Sequence, residues 1–112
     1  KSLEIPKTTP VTLIGFSQGV ATAARWSAHG AEIDTLIFAS GQLPPEWATS
    51  PPNLSDRLKK IHVIRPTNDE YYTQYAFKVD INLLNPFGLD LNLHEPEGTH
   101  TLNAALLNEI LN

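Results

Sequence analysis

The residues with the clearest chemical promise are Gly15-Phe16-Ser17-Gln18-Gly19, a GxSxG sequence. A serine hydroxyl becomes a useful nucleophile only when a neighbouring base takes its proton, and that base must be oriented by a third group. In this pattern the serine occupies a sharp turn between a strand and a helix, which lifts its hydroxyl above a sheet. The residues two before and two after it crowd the turn, so glycine is expected to be required at both Gly15 and Gly19. The helix that follows aims its first amides at the same point, and the Gln18 N–H can donate to the oxyanion of a tetrahedral intermediate. The chemistry implied is acyl transfer through Ser17.

In such turns the chain order is serine, then acid, then histidine. Histidines occur at 29, 62, 94 and 100. His29 belongs to the helix that begins at the serine, about three turns away, and reads as a surface residue. His62 falls inside a strand and reads as a satisfied strand residue. His94 ends the last strand and stays open as an alternative base. His100, in Glu97-Gly98-Thr99-His100, lies between the last strand and the last helix, at the sheet edge where open α/β folds bind ligands. It is the preferred base. Asp69, in Pro66-Thr67-Asn68-Asp69-Glu70, follows the third strand and reaches the same edge. It is the candidate acid, although an aspartate there also reads as a helix cap. Glu70 reads better as a first-turn charge, and Asp56 and Asp90 as solvated positions. Phe16, Leu43 and Trp47, with the proline-rich loop, are candidates to line an acyl or alcohol pocket, against a plain role in loop packing.

The elements that must position these groups follow from periodicity and punctuation. Val11 to Ile14 is an apolar run ended by Gly15 and reads as a buried strand. Gln18 to His29 reads as a helix stopped by Gly30. Thr35 to Ala39 is a second strand. Residues 40 to 53 carry Pro44-Pro45 and Pro51-Pro52 and read as a loop. Leu54 to Lys60 reads as a short helix, with Asn53 or Ser55 as its cap. Ile61 to Ile64 is a third strand. From Glu70 to Leu84, Tyr72, Tyr75, Ala76, Val79 and Leu83 recur at helical spacing on one face. Leu89 to His94 alternates and reads as a half-exposed edge strand. Thr101 to Leu111 places Leu102, Leu106 and Ile110 on one face of a final helix. Alternating strands and helices predict an α/β fold with a mainly parallel sheet and flanking helices.

Composition narrows the remaining classes. With 41% hydrophobic and 18% charged residues among 112, the chain reads as one globular domain. Lys and Arg total 8 against 12 Asp and Glu, a net charge of −4, which argues against a nucleic-acid partner. No apolar run approaches the ~18 residues that span a bilayer, and the polar, proline-containing start does not read as a signal peptide; a cytoplasmic location is expected. There is no cysteine, so disulfides and thiolate metal sites are excluded, and the histidines lack the local pairing of metal ligands. No metal and no cofactor is expected. Neither GxGxxG nor GxxxxGK[ST] follows any strand, which weighs against a nucleotide-binding domain.

Val11 to Val20, with Gly15-Phe16-Ser17-Gln18-Gly19 at its centre, resembles the nucleophile elbow of the carboxylesterase, phospholipase and acyl-protein thioesterase branch of the α/β-hydrolases. Ala39 to Pro44 is similar to that family's SGxxP segment, Ile64 to Tyr71 to its strand-plus-Asp segment, and Gly98-Thr99-His100 to its GxH. The resemblance covers roughly residues 10 to 112. It implies Ser17 as nucleophile, Asp69 as orienting acid, His100 as general base and Gln18 as an oxyanion amide, acting on a small-molecule carboxylic ester or thioester. Two departures stand out: Arg65-Pro66-Thr67-Asn68 replaces a glycine-containing stretch before the acid, and Val20 replaces a second small residue. The resemblance also implies further strands and a second oxyanion donor upstream. The chain is therefore expected to be the back half of such a fold, a C-terminal portion that pairs with an N-terminal half or self-associates along its open edge. The competing expectation is a non-catalytic hydrolase-like domain that acts by interaction.

Overall fold

The computed structural model describes residues 9–112. Residues 1–8, most of the stretch read against a signal peptide, lie outside the described residues. The elements are β1 (Thr12–Phe16), α1 (Gly19–Ala28), β2 (Thr35–Ala39), β3 (Lys60–Ile64), α2 (Gln74–Leu84), β4 (Asp90–His94) and α3 (Ala104–Leu111). The four strands form one sheet in the order β1-β2-β3-β4, and every pairing is parallel. Among the described residues no helix is long and apolar enough to cross a membrane.

Helices on both faces cover the central strands, so these read as continuous apolar runs rather than alternating ones. Leu36, Ile37, Phe38 and Ala39 of β2 and Ile61, Val63 and Ile64 of β3 are all buried. One face carries α1 and α2: Val20, Ala23, Ala24, Ala76, Phe77 and Leu84 cluster with Leu36, Phe38, Ile61 and Val63. The other face carries α3, whose Leu106, Leu107 and Ile110 pack on Ile37, Ala39 and Ile64. No α3 residue is fully buried, so this helix is the more weakly held.

Several local expectations are corrected. Gly15 does not end β1, because Gly15 pairs with Phe38 and Phe16 with Ala39, and the ladder runs on to the serine. Leu54 to Lys60 is not a helix. A turn closes there through Leu58 N–H to Ser55 O at 3.0 Å, and Ser55 Oγ accepts the Arg57 N–H at 3.1 Å. Such side-chain bonds compete with helix formation. The proline-rich loop is not wholly irregular: Pro45–Ala48 forms a 3₁₀ turn that buries Trp47.

The second helix starts at Gln74, with Thr73 Oγ1 accepting the Ala76 N–H at 3.2 Å, so Glu70 is not in its first turn. Its buried face is Ala76, Phe77, Asp80 and Leu84, whereas Tyr75 is 79% exposed. Counting helical spacing from Tyr72 spans a non-helical stretch and so puts the face out of phase. The last helix begins at Ala104, capped by Asn103, and leaves Leu102 and Leu111 exposed.

Candidate active site

Parallel strands bring their C-terminal ends to one edge, and ligands of open α/β sheets bind there. Ser17 follows β1 directly. Its N–H donates to Ala39 O at 2.8 Å, which holds the turn against β2, and its φ is 58°. That left-handed conformation is unusual for a residue with a side chain and marks local strain. Gly15 permits the turn: a Cβ there would lie 2.5 Å from Gly19 O and 2.8 Å from the Val20 Cα. Gly19 does not share this role, since a Cβ on it would meet nothing within 4 Å. The requirement for a second glycine falls instead on Gly41, where a Cβ would overlap the Ser17 carbonyl and meet Val20 Cγ2 at 2.9 Å. The valine at position 20 is fully buried, and Gly41 is what accommodates it.

Ser17 Oγ lies 2.9 Å from His100 Nε2. On the other side of the ring, Nδ1 is 2.9 Å from Asp69 Oδ2 and 3.0 Å from Oδ1. Asp69 is fully enclosed at its side chain. Burial pushes its carboxyl up, but the Tyr72 amide, His100 and the Tyr71 amide outweigh that and hold it below the usual aspartate value. An ionised carboxylate only accepts, so Nδ1 of His100 carries the hydrogen and Nε2 is left to accept from the serine hydroxyl. Asp69 is not a helix cap, since α2 starts at Gln74 behind Thr73; its Oδ1 instead accepts the Tyr71 and Tyr72 N–H groups of the turn that follows it, both at 2.9 Å.

The loops that carry the acid and the histidine are tied to each other. Beyond the strand ends, Arg65 N–H donates to His94 O, Thr67 N–H to Pro96 O and Asn68 N–H to Gly98 O, all at 2.8 to 2.9 Å. The His100 ring sits between Phe16 and Tyr71, at centroid distances of 5.2 and 4.9 Å. His94 is not brought to the serine. Its Nε2 lies 2.9 Å from His62 Nδ1, the rings stack, and burial lowers both pKa values. That fits His62 as a satisfied strand residue and removes His94 as an alternative base.

A cleft of about 650 Å³ opens above Ser17 and is lined by Gln18, Leu43, Tyr71, Tyr72 and His100 among others. Gln18 stands at the N-terminus of α1, and among the described residues its amide donates to no backbone carbonyl. Of the expected pocket residues, Leu43 lines the cleft, and the proline-rich loop contributes Pro45. Phe16 backs the histidine ring, and Trp47 is 4% exposed and packs edge-on against Phe87. Reading the sequence missed Tyr71, Tyr72 and Gly41, and also Ser40, a second serine at a strand end with φ 57°.

No protein-family model and no curated protein matches the sequence. Among solved structures, Arabidopsis thaliana SOBER1 superposes with a TM-score of 0.73 at 22% identity, covering 92% of this chain and 51% of that one. Esterase PE8 gives 0.68 at 24% identity over 88% and 46%, and the Bacillus cereus carboxylesterase 0.67 at 19% over 88% and 46%. MGS-M1, an α/β hydrolase from a deep-sea metagenome library of the Medee basin, gives 0.61 at 16% over 80% and 39%. The fold is that of the α/β hydrolases. The chain spans about half the length of the structures it matches. The four parallel strands, with α1 and α2 on one face and α3 on the other, are thus the α/β-hydrolase arrangement over that span.

Proposed function

We propose that the chain carries the catalytic half of a serine hydrolase that cleaves carboxylic esters or thioesters. The observation that carries the reading is the continuous relay from Ser17 Oγ through His100 to Asp69, with both links at 2.9 Å. Ser17 Oγ attacks the acyl carbon as its proton passes to His100 Nε2. The tetrahedral oxyanion takes a hydrogen bond from the Gln18 amide. Collapse breaks the bond to the alcohol or thiol, which leaves with the proton from His100. Water activated by the same nitrogen then attacks the acyl-serine, and the acid departs with Ser17 regenerated. Asp69 keeps the ring in the productive tautomer and stabilises the imidazolium, and no cofactor is needed for these steps. Leu43 and Tyr71 flank the acyl group in the cleft.

One observation favours a second reading, a hydrolase-like half that binds without turnover: the chain spans about half the length of its structural neighbours. β1 pairs only with β2 among the described residues, so its outer edge is where an upstream strand or a second copy would add. A fluorophosphonate probe decides between the readings. Labelling of Ser17, mapped by peptide mass spectrometry and lost in Ser17→Ala and His100→Ala, is expected. A folded chain that is not labelled would place turnover, if any, outside this chain.

A further inference from the structure

Asp80 is a buried carboxylate outside the relay. It lies on the buried face of α2 and is 4% exposed, among Ala76, Phe77 and Leu84. Its Oδ2 accepts the Tyr72 hydroxyl at 2.6 Å and the Leu43 N–H at 3.3 Å. Both partners line the cleft above Ser17. Tyr72 reaches the acid as well, its own N–H donating to Asp69 Oδ1 and its carbonyl accepting from Arg65 Nε. One carboxylate oxygen therefore joins the wall of the cleft to the loop that holds Asp69.

We propose that Asp80 is a positioning residue for the Ser17 chemistry, holding Leu43 and Tyr72 in register from behind the cleft; the inference rests on the hydrolase reading above. The groups that face it are the Tyr72 hydroxyl and the Leu43 amide, and the charged Arg65 and Asp69 lie beyond Tyr72. No cation is paired with it among the described residues, and burial pushes its carboxyl up to about 6 against the pull of these two donors. A raised folded-state pKa means that Asp80 stabilises the fold when protonated and that this is lost as pH rises through about 6. Packing alone would favour a neutral side chain here. A carboxylate that costs stability at neutral pH, yet ties two walls of the candidate site together, is placed for function.

Asp80→Asn is isosteric and stays neutral at every pH. Its fluorophosphonate labelling rate at Ser17 is measured beside the parent chain from pH 5 to 8, with amide exchange of the Leu43 segment and thermal melts of both. The parent is expected to label about tenfold faster at pH 8, the scale of weakening charge-assisted hydrogen bonds to neutral ones, and the ratio is expected to fall towards one near pH 5 with a midpoint near 6. Leu43 exchange should be faster in the variant at pH 8, while its melting point there is higher. Tyr72→Phe, which leaves the carboxylate in place, should also slow labelling at pH 8. A parent that labels normally with a ratio flat in pH, or at one throughout, overturns the role of Asp80 and leaves the hydrolase reading intact. A folded parent that never labels overturns the hydrolase reading itself, and this role with it.

Discussion

Asp69→Asn separates the chemical role of this residue from its structural one. The carboxylate accepts the His100 Nδ1–H and the Tyr71 and Tyr72 amides. An asparagine can keep Oδ1 on the two amides, but it turns its NH₂ towards Nδ1. The ring must then place its hydrogen on Nε2, where it can no longer accept from Ser17. On the proposed hydrolase reading, the expected loss in labelling rate is on the order of 10⁴, as for Asp→Asn in a Ser-His-Asp triad, with little change in melting temperature. Asp69→Ala is the contrast. It strips the buried Tyr72 amide of its acceptor, at a cost of about 1–3 kcal/mol, or roughly 4 to 20 °C in a domain of this size. The Tyr71 amide belongs to an exposed residue and can turn to water. Fluorophosphonate labelling and a thermal melt on both variants are sufficient. Asp69→Asn labelling within tenfold of the parent would refute the tautomer argument, and an unchanged melt for Asp69→Ala would refute its part in holding the turn at Tyr71 and Tyr72. Because the Asp69 pKa is lowered in the fold, its stabilisation is present above the ordinary aspartate value and is lost as pH falls through the folded value.

The glycines give opposite expectations. Gly19→Ala, with open space around its Cβ and a helical position, should label normally and melt higher, by up to about 1 kcal/mol in stability. Gly41→Ala, whose Cβ would overlap the Ser17 carbonyl, should lose labelling and about 1–3 kcal/mol of stability; equal behaviour of the two in melts and labelling would refute the assignment. Trp47→Ala should act through the core, costing about 3–5 kcal/mol in a denaturant titration, while Leu43→Ala, at a side chain that both packs in the core and lines the cleft, should cost about 2–5 kcal/mol and change labelling by bulky probes as well. Burial lowers the pKa of His62 and His94, so their contribution is lost as pH falls below the ordinary histidine value; His62→Gln should flatten the fall in melting temperature between pH 7.5 and 5.

The site was legible in the sequence to the extent that it hangs on strand ends. Ser17, Asp69 and His100 each follow a different strand, and a parallel sheet collects those ends whatever the intervening loops do. What escaped was whatever depends on close approach between segments distant in sequence. Gly41 is constrained by the backbone at Ser17, and nothing within its own neighbourhood announces that. Trp47 looked like a loop aromatic available to a ligand, but its partner Phe87 is forty residues away. Asp80 could have been found: it falls four residues from both Ala76 and Leu84 on the buried stripe of α2, where a carboxylate is out of place. It was hidden because the helical phase was counted from Tyr72, through residues that turn around Asp69 instead of winding into the helix.

The backbone bonds that tie the loop after β3 to the loop after β4 make Asp69 and His100 a single mechanical body. The segment between β2 and β3, which supplies Leu43 to the cleft, is outside that body. Residues 41–58 can therefore be varied at their exposed positions. Those positions can be exchanged to reshape the rim of the cleft while the distance from acid to base stays fixed by the ladder between the β3 and β4 loops, provided that Gly41, Leu43 and the buried Trp47 and Leu58 are kept as anchors.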